Sequence, residues 1–176
     1  PALDPADTAE QALLRGVMGP ARLALRLAPR MAAGGAIVTQ GTAHDGARAQ
    51  HLGLIRAALA LRRDSAEGFG QRWGLAAEPA LTPRLIAWAM EAWVMQHRWS
   101  WAPQGPRTAC LVTASPDGRL PPHIAAARGL EAGMGQHQAA QAAVFMFSAL
   151  AAGMTGSALA ADGGLSAETQ TSLEGL

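Results

Sequence analysis

The sequence predicts an α/β fold, a layered parallel sheet with helices on both faces. Three observations carry this. Strand-length runs at 36–40, 108–114 and around 157–160 alternate with longer helical patterns, and strands separated by helices pair in parallel through right-handed crossovers. The run 108–114 is apolar without interruption, as suits a strand covered on both faces. With 176 residues, 49% of them hydrophobic and 15% charged, the chain can bury a real core as one domain.

The elements follow in order. Asp7, Thr8, Ala9 and Glu10 offer an N-cap with an acid three residues on, so a helix starts there and runs to Met31. Leu13, Leu14, Val17, Leu23, Leu25 and Leu27 form its apolar side, while Arg22, Arg26 and Arg30, four apart, share a solvated face. Gly34 and Gly35 end that helix, and 36–40 reads as a strand. Residues 43–80 read as an insertion with a helix over 50–63 and a connection around Phe69 to Trp73. Thr82 and Pro83, a capping hydroxyl followed by proline, start the next helix, 84–99. That helix is apolar on nearly every side, through Leu85, Ile86, Trp88, Met90, Trp93, Val94 and Met95, which predicts burial, often against another subunit. Pro103 to Pro106 make a turn, and Ser115, Pro116, Asp117 and Gly118 end the second strand. The last helix spans 136–151 with Val144, Phe145, Phe147 and Leu150 on its apolar side. The stretch "MTGSALAADGG" (154–164) holds the closing strand, and 165–176 reads as a loose tail.

Composition excludes several classes. Fourteen basic against thirteen acidic side chains give +1, too balanced for an electrostatic nucleic-acid binder. A single cysteine, Cys110, rules out an internal disulfide framework and points to a reducing, cytoplasmic setting. No apolar run reaches the roughly 18 residues of a membrane span, and no signal-peptide pattern is visible. The sequence starts at Pro1 without methionine, which leaves room for residues upstream. His44, Asp45 and His51 are too loosely spaced for a metal site, so no metal is expected. Cys110 lies in a buried strand, unsuited to nucleophilic work. "GMGQHQ" (133–138) is a lone, weak G-x-G.

Four stretches resemble the C-terminal half of the short-chain dehydrogenase/reductase family. "GVMGPARLALRLAPRMAAGGAIVTQGT" (16–42) resembles its central helix and the strand ending in the catalytic serine. "LTPRLIAWAMEAW" (81–93) resembles the helix carrying the Tyr and Lys. "ACLVTASPDGRLPPHI" (109–124) resembles the strand leading into the Pro-Gly loop. "AAVFMFSALAAGMTGSALAADGG" (142–164) resembles the final helix and strand.

The resemblance implies a Rossmann-like sheet without its N-terminal half, one domain over 1–164 with the insertion at 43–80, and a tail over 165–176. It also assigns the family's catalytic positions. The Asn position is Gly16, the Ser position Thr42, the Tyr position Ala80 and the Lys position Arg84. Gly16 and Ala80 have nothing to donate, Thr42 keeps a hydroxyl, and Arg84 keeps a charge but holds its proton too tightly to relay it. The Pro-Gly loop reads Pro116 and Asp117, the threonine before its second proline reads Pro121, and no glycine-rich phosphate loop precedes Gly16. The implied protein is a non-catalytic subunit with no cofactor of its own, unless a partner or a missing N-terminal half supplies an NAD(P) site. It forms a homo-oligomer, or a hetero-oligomer with an active dehydrogenase-like subunit, through contacts at Trp88, Trp93, Met95, Met154 and Leu159. The open edge of strand 36–40 must then be covered. The competing reading is an NAD(P)-dependent oxidoreductase whose cofactor half lies outside the sequence; a cofactor-free hydrolase or lyase anchored on Thr42 is the third.

Overall fold

A computed structural model describes residues 7–43, 46–101, 105–131 and 133–175. The turn expected at Pro103 and Gln104 and the pair His44 and Asp45 lie outside the described residues. Three strands, β1 (Ala36–Thr42), β2 (Arg107–Thr113) and β3 (Ser157–Ala160), form one sheet in the order β1-β2-β3, parallel throughout. This is the Rossmann-like α/β layering that the alternation of strands and helices predicts.

The chain opens with α1 (Ala9–Leu13), a π turn at Leu14–Met18 and α2 (Gly19–Leu27). Thr8, not Asp7, caps α1, in a reciprocal pair with Gln11. That frees Glu10 to accept a hydrogen bond from the Gly70 amide at 2.7 Å, which ties α1 to the short helix α4 (Phe69–Arg72). The arginine face is exposed, but so are Leu23, Leu25 and Leu27; α2 turns Ala24 inward instead. Gly34 takes φ +80° at the break before β1.

β2 is buried at all seven positions. Cys110 and Val112 face one helical layer, while Ala109 and Leu111 meet Met146 on the other. The first layer is built on α5 (Leu81–Gln96), which begins earlier than the Thr82-Pro83 signal predicts. Thr82 is buried in the first turn and caps nothing, and the helix stops before Trp99, which is exposed.

The described part of 43–80 holds a 3-10 turn (Ala47–His51), α3 (Leu52–Leu59) and α4. It lies on the outer side of α5, where Leu54, Ile55, Ala58 and Phe69 join the same core as Trp88 and Trp93. His51 stacks on Trp88 with centroids 5.5 Å apart, and Arg48 reaches the buried Glu91 at 3.5 Å. Trp88 and Trp93 are 1% and 4% exposed, so these two of the five expected contact residues are taken up by the chain's own core. The insertion covers the outer apolar side of α5.

After β2 comes the short helix α6 (Pro122–Ala127). On the opposite face, α7 (Met134–Phe147) runs over β1 and β2 with Ala139 and Met146 buried and Ala142 and Ala143 packed beside them. This alanine stripe lets the helix lie close to the sheet. The larger residues expected to face inward point out: Val144 is 71% exposed, Phe147 58% and Leu150 84%. The expected loose tail contains α8 (Leu165–Glu174). Asp162, buried, accepts from the Gly164 and Ser166 amides, both at 2.9 Å, and so holds the start of α8. No helix among the described residues is long and apolar enough to cross a membrane.

Candidate functional site

Among the described residues no strand pairs with the outer edge of β1. A groove of about 1070 Å³ runs along it, bounded by α2 (Leu23, Ala24, Leu27), by α5 (Pro83, Ile86, Ala87, Met90) and by Phe147 at the end of α7. Gly16 and Thr42 both line it, so the π turn and the C-terminal end of β1 converge on the groove. A side chain at position 16 would begin with a Cβ only 2.8 Å from Cγ2 of Ile86. The isoleucine fills the room that a polar side chain would need there.

Ala80 and Arg84 are not among the lining residues. The Arg84 guanidinium instead lies 5.0 Å from the centroid of the Trp88 ring and 3.9 Å from Glu78. The α5 positions that line the groove four residues apart are Pro83 and Ala87, and Ile86 and Met90. None of them carries a titratable group. The sequence itself carries a simpler signal: it contains no tyrosine and no lysine, so no position can supply that pair.

Charge enters the groove at two places. Arg15 pairs with Asp7 near the π turn. Asp117, in the turn after β2, lines the mouth. The Ser115 hydroxyl donates to its carboxylate at 2.7 Å and the Arg119 amide at 3.2 Å, with the Arg119 guanidinium 3.4 Å away. The serine bond first, then the arginine amide and charge, hold this carboxyl below the usual range, outweighing a small desolvation effect, so it is fully ionised at neutral pH. Gln40 fixes the turn to β1, its Nε2 donating to Thr113 Oγ1 at 3.0 Å and to the Pro116 carbonyl at 2.9 Å. A second cavity of about 440 Å³ lies between this turn and α7, lined by Val38, Gln40, Asp117, Gln136 and Ala143 among others.

These residues do not fit a dinucleotide. Pyrophosphate is held by a glycine-rich turn between a strand and a helix N-terminus, and none of the turns bordering this groove among the described residues is of that kind. The one carboxylate at its mouth would repel the phosphates. Cys110, buried in β2 opposite Thr39, offers no nucleophilic alternative: burial pushes its thiol up to about 11, against the lowering effect of a hydrogen bond with Thr39. No group of three metal-ligating side chains occurs among the described residues.

No protein-family model matches the sequence, and no curated protein does. Among solved structures, the chain is similar to the crystal structure of the 3-alpha-hydroxysteroid dehydrogenase from Pseudomonas sp. B-0831 complexed with NADH. The TM-score is 0.70 and the identity 21%, over 94% of this chain and 68% of that one. The likeness shows a shared Rossmann-like fold.

Proposed function

We propose that the chain is a non-catalytic, dehydrogenase-like subunit that assembles with an active oxidoreductase and stabilises it. The observation that carries this reading is the wall of the groove at the C-terminal end of β1. There Gly16, Thr42, Pro83 and Ala87 stand around the space, in a chain without tyrosine or lysine, so the family's Tyr–Lys proton relay is missing from it. Assembly is supported by the open edge of β1 and by the large apolar side chains exposed on α2 and α7. Met95, Met154 and Leu159, all partly exposed, remain the candidate contacts of the original five. The free thiol of Cys110 suits a reducing setting such as the cytoplasm.

Equilibrium titration of the chain with NADH and NADPH tests this. No saturable binding is expected; micromolar affinity for either nucleotide overturns the reading. A second reading is favoured by the NADH complex of the similar structure. In it the chain is part of an NAD(P)-dependent oxidoreductase whose cofactor half lies outside this sequence. Turnover of NAD(P)H by a longer polypeptide containing these residues, lost on replacing Thr42 with valine, would select it.

A further inference from the structure

α8 touches the segment that follows each of the three strands. It leaves the C-terminal end of β3 through Asp162, whose carboxylate accepts from the Gly164 and Ser166 amides. In its first turn Leu165 packs against Leu120, Ile124 and Ala125, the apolar cluster around α6 beyond β2. Glu168 Oε2 then lies 3.2 Å from His123 Nε2 of α6. In its last turn Leu173 rests on Gly46, in the insertion just beyond β1. Two glycines are fitted to these contacts. Gly46 holds φ +76°, and a Cβ there would come 2.5 Å from Leu173 Cδ1. Gly163 holds φ +73°, and a Cβ there would come 2.8 Å from Leu120 Cδ2. The strands are parallel, so all three attachments lie at one end of the sheet. Open α/β sheets take their ligands at that end.

The helix depends on these attachments. It has 10 residues, and isolated helices below about 12–15 residues are marginal in water. Ser166, Thr169, Thr171 and Ser172 lower its propensity further. The Thr169 and Thr171 hydroxyls turn back on the helix's own Leu165 and Ala167 carbonyls, both at 3.0 Å. None of its residues is buried, and Leu173 is 67% exposed. Helix formation has a costly nucleus, so α8 forms its turns and makes its attachments as one event. None of its residues lines either cavity, so it works as a tie rather than a cover.

We infer that α8 is a releasable strap tying α6 to the insertion, so that loosening one attachment loosens the other. The inference goes beyond the proposed function and holds whether or not the chain is catalytic. Amide exchange on the full chain tests it. Leu173→Ala weakens the attachment to the insertion and Glu168→Ala the attachment to α6. Both positions are exposed, and alanine preserves helix propensity. Leu173→Ala is expected to speed exchange of the Ala125, Arg128 and Leu130 amides, which hold α6 and its exit, by about two- to fivefold. Glu168→Ala is expected to speed exchange in the 3-10 turn Ala47–His51 by about the same factor. The double variant should multiply the two factors, because both substitutions weaken one docking equilibrium, while β2 keeps its protection. Acceleration confined to the attachment that each substitution removes overturns the inference, since the two ends of α8 are then independent. Equal acceleration in β2 also overturns it, because α8 would then open only with the core.

Discussion

Single side chains do specific mechanical work in this fold, and Arg107 is the clearest case. It stands at the start of β2, buried, with Nη1 2.6 Å from the Met146 carbonyl and Nη2 2.8 Å from the Ser148 carbonyl. Carbonyls at a helix C-terminus have no partners within the helix and carry its negative end, so the guanidinium satisfies both demands together. Arg107→Met leaves the Met146 carbonyl bare and the Ser148 carbonyl with only the Ala151 amide at 3.3 Å, and we expect a loss of about 2–4 kcal/mol in chemical denaturation, with Arg107→Lys recovering only part of it. A stability change within error would remove this role. Glu10 contributes differently. Partial burial works against its charge, but the hydrogen bond from Gly70 leads a set of interactions, Thr8 and Arg72 among them, that holds its pKa below the ordinary 4.5. A depressed carboxyl pKa gives stability that is complete above the unfolded value and lost as pH falls through the folded one. The stability gap between the wild type and Glu10→Gln should therefore be constant at neutral pH and close below about pH 4 in pH-resolved denaturation. A gap that widens in acid would refute the assignment.

Among the elements, α8 is the one whose stability is most separable from the core. None of its residues is buried, and the Asp162 carboxylate holds two of its first amides. Asp162→Ala should cost about 1 kcal/mol and speed amide exchange within α8 far more than in β2; equal acceleration in both would show that the helix is part of the core unit. The signal for this cap was present in Asp162, Gly163 and Gly164, but turn chemistry and a helix start share those residue types. The strands were legible because their signals are local. Continuous apolar runs end in Gly or in Ser-Pro-Asp-Gly, and the Thr155 hydroxyl that precedes β3 donates to the Arg98 carbonyl at 2.8 Å while Gly156 turns the chain at φ +66°. The orientation of α7 was not legible from its large residues. Its buried side is alanine and glycine with Met146, and only the nearness of the sheet gives such small side chains the inner position. The candidate site divides in the same way. The absence of tyrosine and lysine can be read directly, whereas the identity of the α5 face toward the groove depends on the length and path of the insertion, and the residues that line the groove there include Pro83, Ile86, Ala87 and Met90 but not Ala80 or Arg84.

At the scale of the whole molecule, the insertion decides how the chain behaves as a unit. Without it the outer side of α5 would present Trp88, Leu85 and Trp93 to water; with it those residues join Leu54, Ile55, Ala58 and Phe69 in one cluster that continues into β2 through Cys110 and Val112. The Arg48–Glu91 pair and the His51–Trp88 stack cross the same boundary. A shared core of this kind makes the insertion and the sheet unfold together, because neither can leave without exposing the other's apolar surface. Trp88→Ala tests this, since it opens a cavity at the junction and should cost about 3–5 kcal/mol. Amide exchange in α3 and in β2 should then accelerate by the same factor, and circular dichroism and tryptophan fluorescence should report one coincident transition at a lower midpoint. If α3 exchanges faster while β2 keeps its protection, the insertion is a separate foldon laid over a core that stands without it. The outer face of α5 would then be available for a partner after local opening.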